Sequence, residues 1–309
     1  MTHSHSIDTL KPFPENASDK AICQHLGVIA GEGELPIESI KTALSWGLSV
    51  TAYTPDSKAL KPLVELLGKA RVRRIGVGTL DKTYKTLKAD GIDAIIAAGK
   101  VNKWVLLKNP NFDKRALKLF NAMKTRSDDD VMHALIADVE SEGFRVLPQR
   151  LFLENLFIAE GVYTARHPNS EEQGDIEFAL ETAREIARLD IGQSAVVSKG
   201  MVIALEAIEG TDKAISRAKE WIGKRGGVVA KVEKPKQDNR FDIPTVGPRT
   251  IQTMRKAGLT ILVIEAGKTL VLELDEVIRL ANRWNMIVLA VFRLWRPRRL
   301  VCLSILWLD

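Results

Sequence analysis

The sequence predicts an α/β protein of two domains, an N-terminal Rossmann-like parallel sheet followed by a C-terminal mixed α/β domain. Three observations carry this. Short apolar runs alternate with stretches of helical period along nearly the whole chain. At 309 residues, the chain exceeds one average domain. Its second half contains two strand-like runs joined by Lys199-Gly200, a hairpin that a purely parallel sheet would not contain.

In order, residues 1–24 are polar with Pro12 and Pro14 and read as a disordered leader, in which His3 and His5 count as solvated. The N-terminal domain spans 25–148. Leu26–Ala30 reads as a strand, Gly31-Glu32-Gly33 as a turn, Ile37 to Trp46 as a helix and Leu48–Tyr53 as a second strand, the opening of a βαβ unit. A glycine turn before a helix presents backbone N–H groups to an anion, although the third glycine of a dinucleotide fingerprint is missing. Strands at Arg74–Gly78, Asp93–Ala98 and Phe144–Leu147 and helices at 79–89, 113–124 and 128–142 continue the alternation. Lys100 follows a strand and a glycine, where open α/β sheets meet ligands. Ser127 and the three aspartates behind it suit a helix start.

Residues 149–170 read as a linker whose apolar part, Leu151–Ile158, lines or underlies an interdomain groove. The C-terminal domain, 171–291, has helices at Ile176–Leu189, 211–221, Pro248–Ala257 and Glu273–Asn282. Its strands fall at Gln193–Ser198, Met201–Ala207, Gly227–Val232, Ile261–Glu265 and Met286–Val291. Residues 292–309 form an atypical basic and apolar tail.

Composition narrows the chemistry. Net charge is +6, and the tail, with four arginines and one aspartate, supplies +3 of it, which argues against a dedicated nucleic-acid binder. The two cysteines, Cys23 and Cys302, show no metal-ligand spacing and fit a reducing, cytoplasmic setting. No apolar run reaches the length of a membrane span, and the N-terminus lacks a secretory apolar core.

Polar residues collect in the loops of the C-terminal domain. Glu206, Glu209, Asp212, Asp238, Asp242 and Glu265 are carboxylates suited to holding a hard cation or activating a water. Lys213, Lys231, Lys236, Arg240 and Arg249 can neutralise phosphate oxygens. Metal, base and cationic clamp together describe phosphate-ester chemistry. Blander roles stand beside each: Thr211 or Asp212 as a helix cap, Arg240 with Asp238 or Asp242 as a surface ion pair, Glu206 as a carboxylate satisfied by backbone. The candidate metal ligands are Glu206, Asp212 and Asp238. Gln193, Glu209, Thr211, Lys231, Gln237 and Arg240, with Gly31, Gly33 and Lys100, are the candidate substrate-binding residues.

The segments GVIAGEGELP (Gly27–Pro36), EGFRVL (Glu142–Leu147), LDIGQSAVV (Leu189–Val197), ALEAIEGTD (Ala204–Asp212) and KPKQDNRFDIPTVGPRT (Lys234–Thr250) resemble the UDP-2,3-diacylglucosamine pyrophosphatases of the lipid A pathway that are unrelated to calcineurin-like phosphoesterases. The resemblance implies Mg²⁺-assisted hydrolysis of the pyrophosphate to UMP and 2,3-diacylglucosamine 1-phosphate. It also implies a lipid product held between two domains and homodimers; the arginines and aromatics of the tail suit peripheral contact with an anionic membrane surface, the cytoplasmic face of the inner membrane. A catalytic aspartate is implied within the segment matching Gln237–Asp242, on Asp238 or Asp242, with Asp238 favoured. A nucleotide- or lipid-binding module without catalysis is the competing reading. A dinucleotide oxidoreductase is disfavoured by the incomplete glycine fingerprint.

Overall fold

A computed structural model describes residues 23–100, 112–122, 128–222, 226–235, 237–238 and 240–292. The predicted leader up to residue 22, Lys236 and the tail beyond residue 292 lie outside them. The chain divides into two compact units, residues up to Glu154 together with Asp238–Asp242, and residues from Asn155 to Gln237 and from Ile243 onward.

The first unit is built on five parallel strands. Strands β1 (His25–Ala30), β2 (Ser49–Thr54), β3 (Val72–Arg74), β4 (Ala94–Ala98) and β5 (Arg145–Val146) lie in the order β3-β2-β1-β4-β5. That is the Rossmann-like arrangement expected, with its reversal of winding between β1 and β4. Successive residues of a strand point to opposite faces, so one sheet builds two cores. On one face Leu26, Val28 and Ala30 pack with Ile40 and Ala43 of α1 (Leu35–Ser45) and with Ala59 and Leu63 of α2 (Ser57–Leu67). On the other, Tyr53 and Ile95 pack with Leu80, Tyr84 and Leu87 of α3 (Leu80–Ala89) and Ala116 of α4 (Lys114–Ala122). Helix α5 (Asp128–Ser141) leads into β5, and its Asp138 accepts from Arg115 of α4 at 2.8 Å.

The second unit carries a six-stranded mixed sheet. Its strands are β6 (Gly161–Val162), β7 (Ser194–Ser198), β8 (Met201–Leu205), β9 (Val228–Lys231), β11 (Ile261–Glu265) and β13 (Ile287–Val291), in the order β6-β13-β11-β9-β7-β8. A separate two-stranded pair joins β10 (Thr245–Val246) to β12 (Leu270–Val271). β9, β11 and β13 are mutually parallel; β7 runs against β9 and β8 against β7. The turn at Lys199-Gly200 has positive φ at both residues (51° and 70°), the twist that lets two-residue hairpins close. Alternation again separates two cores. Val228, Ala230, Ile261, Val263, Ile287 and Leu289 face α6 (Ser170–Arg188). Val229, Leu262, Ile264 and Val288 face α7 (Thr211–Ile222), α8 (Pro248–Ala257) and α9 (Leu274–Arg283).

Two expectations need correction. The third strand is Val72–Arg74; only its last residue falls in the predicted run, because residues 75–79 form a turn closed by Thr79 N–H to Gly76 O. The predicted linker is structured: Gln149–Phe152 and Glu154–Leu156 are 3-10 turns, and α6 begins at Ser170. The apolar stretch Leu151–Ile158, read as lining or underlying a groove, contributes side chains to the cores of the two units. Phe152 and Leu153 are buried, Phe152 lies 5.1 Å from Trp46 in the first unit, and Ile158 belongs to the core of the second. Apolar side chains that can be buried within their own unit gain more there than exposed to water, roughly 1.5–3 kcal/mol for each large one.

Candidate active site

In open α/β sheets ligands meet the carboxyl ends of the parallel strands. In the second unit that edge is assembled from the ends of β8, β9 and β11 and the start of the antiparallel β7. Glu206 N–H donates to Ser194 O at 2.9 Å, and Val232 N–H to Gln193 O at 3.0 Å, so the chain continues its pairing past the strand ends. Gly192 permits the closest approach. A Cβ there would stand 2.1 Å from the Glu206 carbonyl oxygen, so no other residue fits.

A buried polar cluster sits on this edge. Lys231 ends β9 and is 7% exposed; Glu206 follows β8 and is also 7% exposed; Ser194 opens β7. Thr211, the first residue of α7, joins them. Its hydroxyl accepts from Lys231 Nζ at 2.8 Å, donates to Glu206 Oε1 at 3.0 Å and lies 3.2 Å from Ser194 Oγ. A threonine hydroxyl therefore stands between an ammonium and a carboxylate. Glu206 Oε2 and the neighbouring Gln193 Oε1 are buried with no hydrogen-bond partner. Unmatched buried acceptors of this kind are costly and call for a ligand or a water. The blander expectations are thereby revised. Glu206 is held by a hydroxyl and not by backbone, and the Thr211 hydroxyl serves the cluster.

The other predicted residues have partners of their own. Asp212 pairs with Arg249 at 2.8 Å and Glu209 with Arg217 at 2.8 Å. Glu265 accepts from Arg184 Nε and from Glu233 N–H, both at 3.0 Å, tying the chain after β9 to the end of β11. Gln237 Oε1 accepts from Lys234 N–H at 2.9 Å, which leaves its buried Nε2 without a partner. Lys213 is exposed.

Asp238 and Asp242 belong to the first unit. Arg240 forks the Asp238 carboxylate with contacts of 2.6–3.0 Å, and its N–H adds a bond of 2.9 Å to Oδ1. Burial opposes ionisation of Asp238, yet Arg240 and the His133 imidazole hold its carboxyl below the usual range. The Asp238 carbonyl accepts the N–H groups of Phe241 and Asp242, folding the segment into a tight turn. The ion pair expected between Arg240 and Asp238 is real.

The first N–H groups of the glycine turn are committed to the sheet. Gly31 N–H donates to Ala98 O at 2.8 Å, and Glu32 and Lys100 exchange backbone bonds of 2.9 Å. These donors cross between β1 and β4 and are not presented to an anion. A Cβ at Gly31 would lie 2.7 Å from the Lys100 carbonyl, which explains that glycine; Gly33 adopts a φ of 110° and the Lys100 side chain is exposed.

Among the described residues no three of His, Cys, Asp or Glu lie together as metal ligands. Of the expected metal ligands, Glu206 is engaged by the Thr211 hydroxyl and Asp212 by Arg249 in the second unit, and Asp238 by Arg240 in the first.

Comparison with known proteins decides the family. The LpxI N-terminal domain model matches residues 25–156 and the LpxI C-terminal domain model matches residues 159–289. The UDP-2,3-diacylglucosamine pyrophosphatase LpxI of Caulobacter vibrioides is 34% identical over 287 residues, 88% of this chain and 99% of that protein. The chain belongs to the LpxI family. The two LpxI matches meet within a few residues of Glu154, where the first unit gives way to the second.

Sequence reasoning passed over Ser194, Arg184, Glu233 and His133 of this LpxI protein. Ser194 looks like any small residue in a strand, and His133 like any polar residue on a helix. Nothing in their spacing marks them, since their partners lie 17 to 105 residues away along the chain.

Proposed function

We propose that this chain hydrolyses the pyrophosphate bond of UDP-2,3-diacylglucosamine, releasing UMP and 2,3-diacylglucosamine 1-phosphate by attack of water. The observation that carries the reading is the match to the Caulobacter enzyme over nearly its whole length, with both LpxI domains present. The residues suit that chemistry. Lys231, anchored through Thr211, offers a fixed positive charge to phosphate oxygens, and Ser194 and Thr211 offer hydroxyls beside it. Asp238, held ionised, and Asp242 are the carboxylates assigned to activating the water, with Asp238 preferred. Gln193 and Gln237 each bring a buried, unmatched amide atom to the substrate.

Mg²⁺ or another divalent cation belongs to the proposal as a companion of the substrate's diphosphate, since such ions are held largely by phosphates with one or two carboxylates. It would neutralise charge on the diphosphate. Cytoplasmic location, peripheral contact with the inner membrane and homodimer formation complete the reading; among the described residues no helix is long and apolar enough to cross a membrane.

The test is release of UMP from UDP-2,3-diacylglucosamine by purified protein. Turnover should fall by about 100-fold or more in whichever of Asp238→Ala and Asp242→Ala removes the base, and chelator should lower it. Tight binding of the nucleotide or lipid without release of UMP would favour the non-catalytic module instead.

A further inference from the structure

We propose that His133 is a positioning residue for the Asp238 carboxylate. The proposal rests on the reading of Asp238 and Asp242 as the seat of water activation.

The described residues of the segment Asp238–Asp242 lie outside helix and strand, and the N–H groups of Phe241 and Asp242 both donate to the Asp238 carbonyl. So short a turn loses conformational freedom on ordering and needs anchors outside itself. Helix α5 supplies them in a matched pattern. His133 Nδ1 stands 3.6 Å from Asp238 Oδ2, and its ring meets Phe241 edge-on at 5.5 Å with an interplanar angle of 83°. Seven residues on, and so on the same helix face, Glu140 Oε1 lies 3.9 Å from Arg240 Nη1. Imidazole faces aspartate, carboxylate faces guanidinium, and the ring of Phe241 packs against the imidazole.

Arg240 alone cannot aim the carboxylate. It sits two residues from Asp238 on the same turn, so the forked pair moves as one body. The reference point is on α5, and His133 is the residue there that meets both the carboxylate and the ring of Phe241. Glu140 acts on the far side, through Arg240.

The experiment compares wild-type protein with His133→Ala and His133→Gln, the latter keeping a polar group of similar reach. Three quantities are read: the rate of tryptic cleavage after Arg240 by mass spectrometry, kcat and KM for UMP release, and the thermal midpoint. His133→Ala should be cut after Arg240 about tenfold faster, with kcat about tenfold lower, KM within about twofold and the midpoint unchanged. His133→Gln should recover most of both losses. Wild-type cleavage and wild-type kcat in His133→Ala would overturn the proposal. So would a joint fall of midpoint and kcat that glutamine does not rescue, the mark of a merely structural residue. If the wild-type protein releases no UMP, the functional reading fails by itself, and the cleavage rates still decide whether His133 fixes the segment.

Discussion

Thr211 shows how much one hydroxyl can arrange. It receives a bond from Lys231 and gives one to Glu206, so it bridges two opposite charges. Both charged residues are 7% exposed, and a buried charge that loses its partner is penalised heavily. Thr211→Val keeps the shape and removes the hydroxyl. It should lower unfolding free energy by about 1–3 kcal/mol in urea titration, while Thr211→Ser should cost less than about 1 kcal/mol. Glu206, Thr211 and Lys231 were legible as candidates because they stand beside glycines and strand ends, where polar residues are out of place in a core. The Glu206 partner was not legible. The hydroxyl that holds it lies five residues on, across a loop containing Gly210, whose φ of 84° sets the approach.

Among the elements, long periodic segments were read correctly and short or punctuated ones were not. Pro248–Ala257 and Ile261–Glu265 fall where the sequence places them, since Gly247-Pro248 starts the helix and Gly258 ends it in the left-handed conformation. Helix α2 escaped notice because Pro62 lies inside it, and proline is normally read as a break. Asp56, accepting from Lys58 N–H at 2.9 Å, starts the helix regardless. Strands β6, β10 and β12 have two residues each, too few for any alternation to show. Helix α6 begins six residues before the predicted start, through a capping box in which Asn169 and Glu172 satisfy each other's backbone N–H. Asn169→Ala should therefore cost about 1 kcal/mol of stability, measured as a lower urea midpoint with unchanged slope.

Over the whole molecule, ion pairs set the response to acid. The carboxyls of Asp238, Glu142 and Glu276 are all held below their ordinary values; for Asp238 burial opposes the shift and Arg240 overcomes it, for Glu142 the cause is Lys88 and then Arg115, and for Glu276 it is Arg279. A carboxyl with a lower folded than unfolded value adds stability above the unfolded value and loses it as pH falls through the folded one. The urea midpoint should stay level from about pH 8 to pH 5 and decline below about pH 4. A midpoint that rises on acidification would contradict these pairings. The discontinuous make-up of the first unit has a consequence for biosynthesis. Its five strands have been translated by residue 146, yet its last five residues, Asp238–Asp242, are translated only after four strands of the second unit's main sheet (β6, β7, β8 and β9). A gene cut between the two family domains would thus yield an N-terminal product lacking a piece of itself, and a C-terminal product carrying that piece with nowhere native to put it.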